Sequence, residues 1–174
     1  RREERLRLGL PASWRDGFLV TSFGGLQARK RLDVVVEALA IARRSRPDVR
    51  LALIGAEHPE DVDVPALARR FAVADAVHLT GHVPEEQARR WIHAGDLAVQ
   101  LRGPSTGGTS GGLLQSLGQG RGVIASALDE QRELQATWQA GLEDVPADLA
   151  KSVDLRFVSL RRIEQAVAAS TGAG

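Results

Sequence analysis

The stretch of residues 101–126 reads LRGPSTGGTSGGLLQSLGQGRGVIAS; it follows one apolar run and ends in another. The first run is residues 97–99, a glycine-rich loop occupies residues 103–111, and the second run is residues 123–125. With a short helical pattern after the loop, this order predicts the strand, loop, helix and strand of a parallel α/β sheet. In such a unit the loop lies at the carboxyl edge of the sheet. Free backbone N–H groups and the helix dipole favour an anion there.

The end of this loop carries the hydroxyl side chains of Thr109 and Ser110, just before the helical pattern. Either hydroxyl is suited to cap the helix and to contact a ligand. Leu113, Leu114 and Leu117 follow at helical spacing, which predicts one apolar face packed against the sheet. A capped turn without a ligand is the simpler alternative. We favour an anion site because the loop holds more glycine than a cap requires.

Apolar runs and helical patterns alternate along the rest of the chain. The runs predict five strands, near residues 18–23, 49–55, 77–80, 97–101 and 122–126. Helices are predicted at 32–42, after Pro65, after Pro84, at 129–139 and at 159–169. Strict alternation with short connections predicts an α/β fold with a Rossmann-like, doubly wound parallel sheet. We expect a single domain over residues 18–174, preceded at 1–17 by a linker with a short helical pattern.

The composition excludes several classes of function. The chain of 174 residues has a formal net charge of +1 and no cysteine, so neither a nucleic-acid partner nor thiolate chemistry is indicated. Its four histidines lack metal-ligand spacing, and no P-loop, nucleophile elbow or glycosidase-type carboxylate pair is present. No apolar run reaches membrane-spanning length and no signal peptide is visible. We therefore expect a cytoplasmic location.

Three loops should meet at the carboxyl edge of the predicted sheet: residues 24–30, 80–83 and 103–111. The first has two glycines and then Arg29 and Lys30, where the next helix begins. Cations oppose the dipole at a helix N-terminus, so their presence there indicates an anionic partner such as phosphate. A solvated basic turn is the alternative.

Two histidines lie close to the second of these loops. His78 falls within a predicted strand, and we expect it to be packed or to lie at a sheet edge. His82 follows that strand and faces the ligand crevice if the strand ends at Thr80.

The order and spacing of five short segments carry a family resemblance. The segments are KRLD at 30–33, PDVRLALIG at 47–55, VHLTGHVP at 77–84, AGDL at 94–97 and GRGVIAS at 120–126. Together they resemble the C-terminal half of family 4 glycosyltransferases, over about residues 5–134. Those enzymes have the GT-B fold of two Rossmann-like domains, so the resemblance implies that this chain is one half of a GT-B fold.

The resemblance also implies a function. It implies glycosyl transfer, with this chain binding the nucleotide-sugar donor (UDP or GDP as its nucleotide) and a missing N-terminal domain as its partner. Transfer in that family is retaining and needs no metal, so no metal or other cofactor is expected. The chain alone is expected to be inactive and to bind no nucleic acid, and peripheral membrane association is considered only for a longer parent.

Two departures from the family pattern keep a second interpretation open. The family uses an Arg and a Lys to neutralise the diphosphate; Lys30 matches the Lys, but Gly25 holds the Arg position, with Arg29 as a replacement. Two glutamates normally follow, and their positions hold Gly108 and Ser116. A non-catalytic GT-B-like module that binds a nucleotide or a partner is therefore the alternative. A dinucleotide domain is disfavoured because no Gly-x-Gly-x-x-Gly run follows the first strand.

Residue by residue, the resemblance implies that Lys30 stabilises the leaving group and that the loop at 80–83 cradles the base through its backbone. The donor-binding residues that it implies are Gly24, Gly25, Arg29, Lys30, Thr80, Gly81, His82, Val83, Gly107, Gly108, Thr109, Ser110, Gly111 and Ser116.

Overall fold

A computed structural model describes residues 1–104 and 110–126, together with the backbone of residues 155–158. The helices predicted at 129–139 and 159–169 lie outside the described residues. So do three of the predicted donor-binding residues: Gly107, Gly108 and Thr109.

Within the described residues, six parallel strands form one sheet in the order β3-β2-β1-β4-β5-β6. The five predicted strands are confirmed within one residue at each end, whereas the sixth was not predicted. The chain moves outward from β1 to β3, then crosses back and moves outward from β4 to β6, so β1 and β4 flank the switch point of a doubly wound sheet. The strands are β1 (Phe18–Phe23), β2 (Val49–Ile54), β3 (Val77–Leu79), β4 (Leu97–Gln100), β5 (Gly122–Ser126) and β6 (Leu155–Val158).

Six α-helices and two short 3₁₀ turns lie in the part of the chain that the structure describes. The helix predicted at 32–42 extends to Ser45 and ends before Pro47. The helices are α1 (Arg2–Arg7), α2 (Ala12–Arg15), α3 (Leu32–Ser45), α4 (Val64–Arg70), α5 (Glu85–Ala94) and α6 (Gly111–Gly118), and the 3₁₀ turns are Ala28–Lys30 and Ala74–Ala76.

The sheet is covered on both faces, which explains why its strands read as nearly continuous apolar runs. Alternate residues of β2 show the division: Leu51 and Leu53 pack with α3 and α4, whereas Ala52 and Ile54 pack with α5. On the α5 side, α6 covers β4 and β5.

One detail of the predicted packing is wrong. Leu113 and Leu117 are buried under α6, but the Leu114 side chain is 45% exposed. Adjacent helix positions differ by about 100°, so the face centred on Leu113 and Leu117 leaves Leu114 at its margin.

Helices α1 and α2 are anchored to the sheet by a buried arginine. The Arg5 guanidinium donates to the Ala94 carbonyl (2.9 Å) and to two carbonyls in the turn before β1 (2.9 and 2.8 Å). It also pairs with Asp96 (2.5 Å), whose carboxylate accepts from the Leu19 N–H (2.8 Å). The stretch at 1–17, predicted as a linker, is thus held at the amino ends of β1 and β4; where the domain begins stays a prediction.

Candidate functional site

A cleft of about 260 Å³ opens at the switch point, between the carboxyl ends of β1 and β4 and the start of α6. Three cationic side chains line it, and none of its described lining residues is a carboxylate. The crevice therefore offers positive charge, amides and hydroxyls. Its lining residues are Phe23, Gly24, Gly25, Arg29, Lys30, Gln100, Leu101, Arg102, Ser110, Gly111, Gly112 and Gln115.

Lys30 carries a desolvated amine in the cleft. It ends the 3₁₀ turn after β1, and its Nζ donates to the Phe23 carbonyl at the end of that strand. Burial lowers the pKa of the Lys30 amine to about 8, with smaller contributions from the neighbouring charges of Arg102 and Arg29. An anion bound in the cleft would raise the pKa of this amine again and favour its charged form.

The burial of Lys30 predicts an unusual pH dependence for the ligand-free chain. Between pH 8 and the ordinary lysine pKa of 10.5, the unfolded chain holds a proton on Lys30 that the folded chain lacks. The free energy of unfolding is therefore expected to rise with pH across this window. Urea denaturation at pH 7.5 and 9.5 checks this against Lys30→Met, which should lack the rise; an equal rise in both chains would contradict it.

Gln100, at the end of β4, fixes the floor of the cleft and was missed by the sequence analysis. The Gln100 carboxamide is buried and can be placed in two orientations. In one of them both of its polar atoms are hydrogen-bonded: the nitrogen donates to the Phe23 carbonyl (3.2 Å) and the oxygen accepts from the Phe23 N–H (2.9 Å). The opposite orientation leaves only a 3.4 Å contact between Oε1 and Lys30 Nζ, so we favour the main-chain pairing. Gln100 and Lys30 then share one carbonyl, which ties the ends of β1 and β4 together.

Hydrogen bonds hold the backbones of the two arginines of the cleft. The Gly103 N–H donates to the Arg29 carbonyl (2.9 Å), which joins the β4 loop to the β1 loop. The Arg102 N–H donates to Ser126 Oγ (2.7 Å), and that hydroxyl donates back to the Arg102 carbonyl (2.8 Å). Ser126 is fully buried on β5, so the backbone of Arg102 has a fixed position at the cleft.

Helix α6 begins against the cleft, as its sequence predicts. Ser110 is its N-cap and accepts from the Leu113 N–H (3.3 Å), which confirms the predicted cap. A Cβ atom at Gly112 would lie 2.6 Å from the Phe23 carbonyl oxygen and 2.8 Å from the terminal carboxamide of Gln100. Glycine therefore lets the first turn of α6, with its unpaired N–H groups, approach the strand ends closely.

Further along α6, the residue that lines the cleft is Gln115 rather than Ser116. The Ser116 side chain is fully buried, and its hydroxyl donates to the Gly112 carbonyl (2.7 Å). Gln115 Oε1 is also buried, yet it has no hydrogen-bond partner among the described residues. A buried acceptor without a partner is uncommon in native proteins and suits a ligand that donates a hydroxyl.

The loop predicted to hold the base lies apart from the cleft. Thr80 Oγ1 donates to the Gly81 carbonyl (2.8 Å), Gly81 forms a bridge with Gly55 after β2, and His82 is exposed. None of the residues at 80–83 lines the cleft, because β2 separates β3 from β1. The structure thus brings together Gly24, Gly25, Arg29, Lys30, Ser110 and Gly111 from the predicted set.

His78 lies on the edge strand β3, with its ring 5.1 Å from the Trp91 ring and 5.8 Å from the Trp14 ring. The prediction of a packed or edge residue is confirmed.

Across the described residues, no group of three His, Asp or Glu side chains is arranged to hold a metal ion. No helix in the same part of the chain is long and apolar enough to cross a membrane.

A wider hollow of about 690 Å³ borders the cleft, between the starts of α3 and α4 and residues 103–104. Four of the charged groups that line it serve the local structure: Asp61 accepts from a backbone N–H of the 3₁₀ turn, Asp63 caps α4, and Arg31 pairs with Asp33. We therefore place the candidate anion site in the smaller cleft.

Two curated proteins are similar to this chain over just over half of its length. The D-inositol 3-phosphate glycosyltransferase of Thermobispora bispora is 33% identical over 103 residues, which is 55% of this chain and 23% of that protein. The protein of the same name from Streptomyces avermitilis is 31% identical over 105 residues, which is 55% of this chain and 22% of that protein. The matched region therefore spans less than a quarter of these relatives.

Solved structures share the fold at lower identity. The glycosyltransferase WaaG, involved in lipopolysaccharide biosynthesis, aligns with a TM-score of 0.66 and 19% identity, over 99% of this chain and 42% of WaaG. The C-terminal domain of LpcC from Francisella tularensis aligns with a TM-score of 0.66 and 17% identity, over 99% of this chain and 80% of that one. HepE of Anabaena, solved with UDP-glucose, gives a TM-score of 0.64 and 16% identity, over 99% of this chain and 52% of HepE.

The family comparison covers most of the chain. The family described as "Glycosyl transferases group 1" matches residues 17–155, which include the cleft and every strand up to β5 as well as the start of β6. Together with the Rossmann-like sheet shared with GT-B glycosyltransferases, this match shows that the chain belongs to the group 1 glycosyltransferase family.

Proposed function

We propose that this chain is the nucleotide-sugar-binding half of a glycosyltransferase, with the donor diphosphate held in the cleft between β1, β4 and α6. The observation that carries the proposal is the buried Lys30 amine beside two arginines and a helix N-terminus, with no carboxylate among the described lining residues. Such a site favours an anion strongly and lies where open α/β sheets bind ligands.

The geometry supports a role for each part of the cleft. Lys30 and the N–H groups at the start of α6 would stabilise the diphosphate as it leaves the sugar. The unpartnered oxygen of Gln115 would accept from a hydroxyl of the sugar or ribose. The loop at 80–83 lies two strands from β1, about 10 Å away, a span that a nucleoside diphosphate can bridge from cleft to base.

The proposed reaction is transfer with retention of configuration and without a metal ion, which accords with the cationic lining. The acceptor would bind to the partner domain on the opposite side of the crevice. Since the matched region spans less than a quarter of the curated relatives, catalysis is proposed for the longer protein and donor binding for this chain.

One observation favours a second candidate, a module that binds nucleotide without transferring sugar. The described lining offers no carboxylate to hold the donor sugar, and Ser116 is turned into the core. Without such contacts the cleft would bind the bare diphosphate as well as the sugar nucleotide.

Titration of the 174-residue chain tests the proposal. UDP or GDP is expected to bind with a Kd of about 0.1–1 mM, which corresponds to about 4–5.5 kcal/mol, because only half of a two-domain site is present. Adenosine, which has no phosphate, should give no response at the same concentrations, and NAD should bind more weakly than the diphosphates. An equal response to UDP, adenosine and NAD would contradict the proposed diphosphate site.

A further inference from the structure

An apolar groove lies away from the cleft, on the face of the sheet that carries α3 and α4. Its volume is about 290 Å³, and every described residue that lines it is aliphatic. We propose that the C-terminal segment, residues 159–169, packs into this groove through Leu160, Ile163 and Val167. This contact within the chain does not depend on what the cleft binds.

The floor of the groove lies on β4 and β5, whose two faces are covered unequally. On the α6 face, Ala98 and Val123 are fully buried. On the opposite face, Val99 and Ile124 pair across the two strands and are only partly buried. Of the described helices, α3 alone lines the groove, as one of its walls. Because the faces of a parallel sheet are normally covered by helices, a further segment is expected to pack here.

The handedness of the crossovers leaves one segment of the chain to cover this face. The steps from β1 to β2 and on to β3 run in one direction and place α3 and α4 on the groove face. The steps from β3 to β4 and on to β5 run in the other direction and place α5 and α6 on the opposite face. The step from β5 to β6 runs the same way as the step from β4 to β5. The right-handed rule therefore assigns the connection at 127–154 to the α6 face.

The two ends of the chain complete this assignment. Near the N-terminus, Leu10 and Trp14 pack with Trp91 of α5, on the face opposite the groove. The segment after β6 is what remains, and it begins two strands from β4. A helix over residues 159–169 would be about 16 Å long, and the floor from Leu97 to Leu101 is about 13 Å long. The segment therefore has the length to cover the groove.

The sequence of the segment suits an aliphatic groove. It reads SLRRIEQAVAA, with Leu160, Ile163 and Val167 at the i, i+3 and i+7 positions of one helical face. Its two arginines and Gln165 fall on the other side of the same helix. An aliphatic groove offers no partner to a charged group, so the apolar face is the one that fits. Docked in this way, the segment would support β4 on the face opposite α6.

A single introduced thiol tests the contact, because the chain has no cysteine of its own. A Val99→Cys thiol lies on the floor of the groove, and its rate of reaction with a maleimide reports how well the floor is covered. Adding Ile163→Asp is expected to raise this rate about tenfold, since the new carboxylate cannot be buried among aliphatic side chains. Gln165→Asp adds the same charge on the opposite side of the segment and should leave the rate unchanged. A Val123→Cys thiol, on the α6 face, should stay slow in the Ile163→Asp chain.

Three results would overturn the proposal. The first is an equal rate for Val99→Cys with and without Ile163→Asp. The second is protection of this thiol that disappears on dilution, which would assign the face to a second copy of the chain. If Ile163→Asp unfolds the chain or speeds the Val123→Cys thiol equally, methyl NOEs in the unsubstituted chain decide instead. Cross-peaks from Ile163 and Val167 to Val99 and Ile124 are expected, and their absence is the third result.

Discussion

Replacing Lys30 by methionine is expected to weaken UDP binding about a hundredfold, which takes it beyond detection by NMR titration at millimolar concentrations. The amine is buried at the floor of the cleft and would form a charge-assisted hydrogen bond to the diphosphate, worth about 1.5–3 kcal/mol. Methionine keeps most of the apolar stem and removes the charge. Removing a buried charge should also leave the fold at least as stable below pH 8.

The matched control for this variant is Arg89→Met. Arg89 lies on the exposed face of α5, paired with Glu85, and its loss removes one positive charge without touching the cleft. If both variants weaken UDP binding equally, the effect is one of net charge and the cleft does not hold the diphosphate. If Lys30→Met binds UDP as well as the wild-type chain, the assignment of Lys30 is wrong.

The second large effect concerns stability. Arg5→Met is expected to lower the free energy of unfolding by about 3 kcal/mol, because it leaves Asp96 with a weaker partner and three carbonyls without a donor. Urea denaturation of the two chains measures the difference.

Arg7→Met provides the control on the same helix. Arg7 is exposed and pairs with Glu3 and Glu4, and such surface pairs are worth only about 0–1 kcal/mol. Equal losses for Arg5→Met and Arg7→Met would show that α1 is not anchored to the sheet through Arg5.

The strands could be predicted because burial on both faces gives them a plain signature. The runs at 18–23 and 122–126 are mostly apolar, the first lies between two glycines and the second begins with one, and they match β1 and β5. The sixth strand, at 155–158, has the sequence LRFV, which is too short and too interrupted by charge to stand out from its surroundings.

The cleft was only partly predictable, since sequence identifies loops better than it identifies side-chain directions. The glycines and cations at 24–30 mark the site, because their residue types suit an anion wherever the side chains point. The choice between Gln115 and Ser116 depends on the rotation of α6 about its axis, which its docking on β4 and β5 decides. In the sequence, Gln100 is a single polar residue at the end of a strand. Only the structure, in which Gly112 of α6 approaches Gln100 closely, shows why Gln100 is buried.

The central claim is that this chain binds a nucleoside diphosphate in the cleft between β1, β4 and α6. The most direct measurement is a ¹⁵N NMR titration of the 174-residue chain with UDP and GDP that follows the backbone amides. We predict saturable shifts at Gly24, Gly25, Gly111 and Gly112 with one of the two nucleotides, at a Kd of about 0.1–1 mM. Unchanged amides at these four glycines up to 10 mM (about ten times the upper predicted Kd) of either nucleotide would contradict the claim.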